Sequence, residues 1–325
     1  MHPVPNPPPA QGMRLDWLAV PERVRLAFER WAGSPVVRAT SQPSGFSPGV
    51  AARLRLADGR GVFVKAVGPT PNAEAPAIHR REARIVSALP ADVPVPRLRW
   101  VHDDGEDGWV LLAFDAVEGR HPREPWHLDE LDRVLHSLAR LAERLSPSPL
   151  PMDDIGSAGQ IVATRICGWQ RLRDDAPEPP SGLGDWSRRH LEALADLEAR
   201  APAAVSGTTL LHFDVRADNL LLGSDEVWFV DWPHACVGAA WLDVVGFAPS
   251  VTMQGGPPPE DVLARYPGSA RPDAEAVTAG LAAVAGYFTR QALQPPPPGL
   301  PTLRAFQAAQ GVIARHWLAQ RTGLT

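Results

Sequence analysis

At 325 residues and 35.1 kDa the chain is long enough to fold as two packed lobes with separate cores. Its 44% hydrophobic and 21% charged residues are those of an ordinary soluble protein, and with a formal net charge of −5 no nucleic-acid partner is expected. The longest apolar stretch, residues 276–288, is too short for a membrane span and is broken by Thr278, Gly280 and Gly286, so no membrane partner is expected either.

Residues 1–11 have neither a basic start nor an apolar run, which argues against a signal peptide or anchor and predicts a disordered, proline-rich tail over residues 1–13 and a cytoplasmic protein. Prolines also gather at 177–180 and 294–301, where loops and linkers are expected. Residues 21–33 then read as a helix, with Pro21 in the first turn and Gly33 as the stop. Residues 36–40 and 50–56 read as strands on either side of a Ser- and Gly-rich loop, and Asp58-Gly59 turns the second into a third strand, 61–67. Of 32 basic residues, 31 are arginine and the one lysine, Lys65, lies in this third strand. A compact ammonium kept where every other cation is a planar fork suggests a point charge slotted between anions.

A helical pattern follows over 74–89, with Ile78, Ala83, Ile85, Val86 and Leu89 on the inner face and Arg80, Arg81 and Arg84 exposed. Glu82 falls among the apolar positions. Residues 98–101 and 109–114 are two further strands, joined by a turn at 103–108. Beyond residue 120 the spacing turns helical at 129–145, 159–173 and 185–201, and again at 239–247, 260–266, 273–293 and 303–320. Cys167 and Cys236 lack metal-type spacing and read as buried thiols. The charge divides at residue 119: the first part carries 14 basic and 13 acidic side chains, the remainder 18 and 24.

The most informative stretch is 211–232, L-H-F-D-V-R-A-D-N-L-L-L-G-S-D-E-V-W-F-V-D-W. Leu220–Leu222 and the β-prone run 227–230 can pair as a ribbon, which would bring Asn219 and Asp231 together. One amide and one carboxylate suit Mg²⁺ held against phosphate oxygens, because magnesium takes few protein ligands. Asp214 is left over as a general base.

His212, Asp214 and Asn219 match H-x-D-x-x-x-x-N, and F-V-D-W follows. Together they resemble the catalytic loop and metal-binding aspartate of the aminoglycoside phosphotransferase family (with choline-kinase-like and homoserine-kinase-like members), a branch of the protein-kinase-like superfamily. The resemblance covers residues 35–250. It implies an α+β, bilobal fold: a small lobe and hinge over 14–119, built on a five-stranded antiparallel sheet plus a helix, and a mainly helical large lobe over 120–325. It further implies that Ser44, Gly45 and Ser47 cover the phosphates of ATP through backbone N–H groups, GTP not being excluded. Lys65 would reach the α- and β-phosphates, oriented by Glu82, with Glu74 as second choice. Phe114, Asp115 and Val117 would form a hinge whose backbone reads adenine.

On the same resemblance Asn219 and Asp231 would carry Mg²⁺, Asp214 would take the acceptor's proton, and Arg216 would touch the transferred phosphate. His212, Asp218 and Asp243 would steady the loop, while Trp232 and His234, which depart from D-F-G, would edge the acceptor pocket. No A-P-E segment follows Asp231, which argues against protein substrates. The implied function is transfer of the γ-phosphate to a hydroxyl of a small, hydroxylated and, given the acidic large lobe, cationic molecule such as an aminoglycoside, amine or amino sugar. A nucleotide-binding pseudokinase without turnover is the alternative. A metal-dependent hydrolase built on His212, Asp214 and Asp231 would need a further ligand, for which only His234 offers itself. A monomer or weak dimer is expected.

Overall fold

The computed structural model describes residues 12–43, 45–46, 49–70, 72–106, 108–175, 180, 182–268 and 272–325. The expected tail therefore lies outside the described residues except for Gly12 and Met13, whose N–H groups donate to the carbonyls of Gly45 and Gly299.

Five strands, β1 (Val36–Ser41), β2 (Val50–Leu56), β3 (Gly61–Val67), β4 (Leu98–Asp103) and β5 (Val110–Asp115), form an antiparallel sheet in the order β1-β2-β3-β5-β4. On β3, Val62, Val64 and Ala66 alternate with Phe63 and Lys65, and the two-residue period of a strand sends the two sets to opposite faces. The first set packs with Leu54, Leu111 and Ala113 against Val24 and Phe28 of the helix Glu22–Ala32. The other face meets the helix Ala75–Ala88 and the larger core of the chain. Strand β5 has no polar side because Leu111 and Ala113 enter the first core while Val110, Leu112 and Phe114 enter the second.

The rest is mainly helical, so the fold is α+β with a five-stranded sheet and a helical part, as expected. The helix Leu128–Arg144 buries Leu131, Val134, Leu135, Leu138 and Leu141, the stripe that three- and four-residue spacing predicts. Two short ribbons frame the polar stretch. Strand β6 (Thr209–Leu211) pairs with β9 (Cys236–Gly238), and β7 (Leu220–Leu222) pairs with β8 (Val227–Phe229) in the register Leu220↔Phe229. The second ribbon is the one expected; the first was not.

The helix expected over 159–173 is two, Ala158–Thr164 and Gly168–Asp174. The second begins where Gly168 lies against Gly286 of the helix Ala274–Ala292, so close that a Cβ on Gly168 would stand 2.0 Å from the Gly286 carbonyl oxygen. Its first N–H groups, on Trp169 and Gln170, donate to the carboxylate of Glu198 at 3.2 and 2.9 Å. That cap comes from a distant segment and leaves no local signal. The helix expected over 185–201 likewise breaks at His190 into Asp185–Arg189 and Leu191–Glu198, where the His190 ring reaches the Thr325 carbonyl oxygen at 2.9 Å. The helix expected at 239–247 starts later and runs on as Leu242–Met253, carrying Pro249 inside it among residues buried on nearly every side.

Because the Gly168 backbone contact has no slack, Gly168→Ala is expected to lower stability by about 1–3 kcal/mol. Urea denaturation would show this as a lower midpoint with an unchanged slope. An unchanged midpoint would mean that the two helices separate without cost.

Candidate active site

Strand β6 delivers the chain to His212, and the backbone beyond it is shaped by Asp243, in the first turn of Leu242–Met253. Its carboxylate accepts the N–H groups of His212 at 2.9 Å and Phe213 at 2.8 Å. These bonds hold Phe213 at φ 63°. A bulky residue enters that left-handed region only under constraint, at a cost of about 1–3 kcal/mol. The His212 ring adds a brace, with Nε2 at 3.0 Å from the Val230 carbonyl oxygen and Nδ1 at 3.3 Å from the Asp214 nitrogen. One tautomer satisfies both contacts: Nε2–H donates to Val230 and Nδ1 accepts from Asp214. Burial pushes the His212 pKa down to about 4, so the ring is neutral and both nitrogens are spent on backbone. A hydrolase that used His212 as a metal ligand has no nitrogen left for the metal. Burial lifts Asp243 to about 6, against the two N–H bonds that favour its ionised form.

Asp214 accepts from Asn219 Nδ2 at 3.1 Å and lies 3.5 Å from Arg216. Burial raises its pKa, with the Arg216 charge opposing. Asn219 Nδ2 also donates to the Asp214 carbonyl at 2.8 Å, which fixes the amide and turns its oxygen away from Asp214. Arg216 forks onto Asp218 at 3.1 and 2.9 Å and sits 5.2 Å and 5.7 Å from the ring centres of Phe46 and Phe306. Asp218, rather than Arg216, borders the cleft described below.

Across the β7–β8 ribbon, Val230 N–H donates to the Asn219 carbonyl at 3.0 Å. The next residue, Asp231, has φ 71°, the only other positive value outside glycine among the described residues. Its Oδ1 accepts from Lys65 Nζ at 2.8 Å, and Lys65 donates to Glu82 Oε1 at 2.7 Å. Burial lowers the lysine's pKa, but the carboxylates of Asp231 and Glu82 outweigh it and leave the ammonium firmly charged. Burial would likewise raise Asp231, yet Lys65 holds it well below the usual carboxylate range. Glu82 is raised by burial, with Lys65 opposing.

The helix bearing Glu82 is held from the far side by Arg81, whose guanidinium donates to the carbonyls of Pro233 and Ile155 at 2.7 Å and Ala235 at 2.9 Å. This corrects the expected arginine face. Only Arg84 is exposed, Arg80 is half-buried against Asp103, and Ile78, expected inside, is 37% exposed. The helix packs on the sheet and on the β8–β9 turn at once, so its inner face is wider than a single apolar stripe. Nothing in the local pattern separates Arg81 from its neighbours.

These groups converge on a cleft of about 330 Å³ bordered by Lys65, Glu82, Asn219 and Asp231 at one end and by Phe114 and Val117 at the other. Of the hinge residues, Asp115 donates its N–H to the Arg97 carbonyl at 2.9 Å and pairs its side chain with Arg99 at 2.7 Å, while the Val117 carbonyl accepts from Arg53. Glu74 precedes the helix and its N–H donates to Asn72, so Glu82 is the glutamate on the lysine. Gly45 borders the cleft; Ser44 and Ser47 lie outside the described residues. Of the pair expected at the acceptor edge, Trp232 is 1% exposed, packed on His212 at 4.7 Å and donating to Phe229, so it is part of the wall and only His234 presents an exposed side chain. Among the described residues no cluster of three or more His, Cys, Asp or Glu is arranged around a common metal position.

Residues 44–286, well over half of the chain, match the APH phosphotransferase enzyme family. The chain belongs to this family. No curated protein matches it in sequence. Solved structures share its fold. A protein provisionally designated fructosamine-3-kinase from Thermobifida fusca superposes with a TM-score of 0.57 at 21% identity, over 90% of this chain and 98% of its own. The aminoglycoside phosphotransferase APH(2")-IIIa, solved with GDP and kanamycin, gives 0.59 at 13% identity over 93% and 98%. APH(4)-Ia, solved with ADP and hygromycin B, gives 0.58 at 15% identity over 90% and 98%. At such identities the likeness is one of fold, and the family membership makes the chain a small-molecule phosphotransferase.

In this phosphotransferase Asp243 carries two backbone N–H groups, those of His212 and Phe213. Asp243→Ala would strand both and is expected to destabilise the fold by about 2–3 kcal/mol. Thermal denaturation with the circular dichroism spectrum as control would measure this, and a wild-type melting temperature would show the loop to be held by other contacts.

Proposed function

We propose that the protein is an ATP-dependent O-phosphotransferase that moves the γ-phosphate to a hydroxyl of a small, cationic molecule. The observation that carries this reading is a cleft bordered by Lys65, bridged between Glu82 and Asp231, and by Asn219, whose amide holds Asp214 directly behind that lining. Phosphoryl transfer needs little covalent help, so a site performs it by alignment and by neutralising spreading charge. Apolar side chains such as Phe63, Val86 and Phe114 line the cleft beside its charged groups and give a base a surface to pack on.

The donor set fits magnesium. Asn219 spends its amide nitrogen on Asp214, leaving its oxygen for a cation, and Asp231 spends Oδ1 on Lys65, leaving its second oxygen. Two hard oxygens from the protein, with phosphate oxygens completing the shell, are what Mg²⁺ takes in such sites. When bound there it would draw charge from the phosphates. Lys65 would neutralise the inner phosphates and Glu82 would keep it pointed at them. Asp214 would accept the hydroxyl proton as the acceptor oxygen forms its bond to phosphorus and the bond to the bridging oxygen of ADP breaks. A carboxylate with a raised pKa suits that work better than an ordinary aspartate. Arg216, caged by Asp218 and two rings, would hold Asp214 in place. The surplus of acid in residues 120–325, 24 against 18 basic side chains, favours a cationic acceptor by steering. Close to Asp218, Glu124 adds to it, its pKa raised by burial and then by the Asp218 charge.

For Asp214→Asn we expect kcat to fall by about 10²- to 10⁴-fold while ATP binding persists. ADP release over a panel of amines, aminoglycosides and sugars, with binding followed separately by calorimetry, tests this, and unchanged turnover would remove Asp214 from the reaction. The raised pKa also fixes a sign for pH dependence. Asp214 works only when ionised, so the acid limb of kcat/KM should be centred above 3.8, the ordinary aspartate value. A limb at or below that value would contradict the role.

A further inference from the structure

Ahead of the first helix, a short extended piece of chain pairs with the loop between β1 and β2. Gly12 N–H donates to the Gly45 carbonyl at 2.8 Å, Gly49 N–H to Met13 at 3.2 Å, and Leu15 N–H to Gly49 at 3.0 Å. Arg14 and Gly49 thus form a parallel bridge. From the other side, Met13 N–H donates to Gly299 at 2.9 Å, so the same piece is tied to the C-terminal half. Extended backbone alternates its side chains. Leu15 packs against the core under the sheet, and Arg14, pointing the other way, enters the cleft that Lys65, Asp218, Asn219 and Asp231 border.

The loop is shaped to admit it. A Cβ on Gly45, whose φ is 94°, would stand 2.9 Å from an Arg14 guanidinium nitrogen, so the absence of a side chain there leaves room for the fork. Gly49, at φ 121°, has no space either, since its Cβ would meet the Ala66 carbonyl oxygen at 2.6 Å. Burial lowers the pKa of the Arg14 guanidinium, and the charges of Asp231 and Asp218 oppose that. Those two border the cleft with Lys65 and Asn219, the charged and polar groups suited to the phosphates of a nucleotide.

We propose that Arg14 is a phosphate-binding residue of the site, gripping the terminal phosphate of a nucleoside triphosphate from the side of the loop. This rests on the nucleotide-binding reading above. Lys65 is a point charge already committed to two carboxylates. A triphosphate brings more negative charge than that one ammonium balances, and a guanidinium adds a planar fork that matches phosphate oxygens two at a time. Its backbone is fixed to the loop at Gly45 and Gly49, which holds the fork at the cleft.

The consequence is a preference for triphosphate over diphosphate that depends on Arg14. Calorimetric titration of the full chain with Mg²⁺ and either the non-hydrolysable triphosphate AMP-PNP or ADP reads it directly. Loss of a charge-assisted contact predicts that Arg14→Ala weakens AMP-PNP binding by about 10-fold or more and ADP by less than about 2-fold. Arg14→Lys keeps the charge without the fork and should recover part of the difference, which also covers the case in which the alanine variant folds poorly. Equal losses for both nucleotides, or tighter AMP-PNP binding in Arg14→Ala, would overturn the assignment. A wild-type protein that binds neither nucleotide would instead bring down the phosphotransferase reading itself, and this one with it.

Discussion

Lys65 stands 2.7 Å from Glu82 and 2.8 Å from Asp231, so that a central strand, the helix beside it and the end of β8 meet at one atom. One ammonium against two carboxylates, with all three side chains largely removed from water, is a poor source of stability, because the desolvation of ions offsets most of their attraction. What it secures is geometry. Strand alternation aims Lys65 at the cleft, and the β2–β3–β5 register, with Lys65 opposite Ala51 and Leu112, keeps it central in the sheet. The helix carrying Glu82 can meet it only because Arg81 fastens that helix to the carbonyls around β9. With Asp231 held ionised by Lys65, its second oxygen faces a cleft suited to a cation and phosphates.

The backbone carries a second constraint. Phe213 and Asp231 each adopt a left-handed conformation; the first directly precedes Asp214, and the second is the carboxylate on Lys65. Each is overdetermined by its neighbours: Phe213 by Asp243, and Asp231 by the Val230–Asn219 bond before it and by Lys65. His212 links the two, because its ring spans from Val230 to Asp214. A neutral, buried histidine performs this at any pH where the protein works, which a charged one could not. The strained residues are thus tied to one another, and the loop and the ribbon move as one piece.

Much of this was legible in the sequence because it is local. The alternation of 50–56 and 61–67, the Asp58-Gly59 turn and the Leu220–Leu222 ribbon each declare themselves within a few residues, and a solitary lysine among arginines marked its own strand. H-x-D-x-x-x-x-N works as a signal since its members serve one turn of chain. What stayed hidden is what depends on distant partners. Arg81 looks like its neighbours until the β8–β9 turn is placed against it, and the breaks at 165–167 and 190 follow from Glu198, Gly286 and Thr325 rather than from any breaker nearby. The β6–β9 ribbon joins segments too short to announce a strand. Positive φ at a phenylalanine or an aspartate has no sequence signature. Arg14 carries no signal in the sequence, because the short pairing that fixes it depends on a loop more than thirty residues away.

A further constraint lies in how Arg216 is held. Its guanidinium is shared by Asp218 and Asp214 and faced by Phe46 from the loop and Phe306 from the helix Leu303–Thr322. The two rings meet edge to face at 5.1 Å, so the loop over the cleft touches the helical part beside Asp214. A contact of that kind contributes about 0.5–1.5 kcal/mol beyond the area it buries. The carboxylate pair on Arg216 is different, for separating it would leave a buried guanidinium without its counter-charges. Asp214 is therefore held by Arg216 and Asn219 rather than by the ring contact.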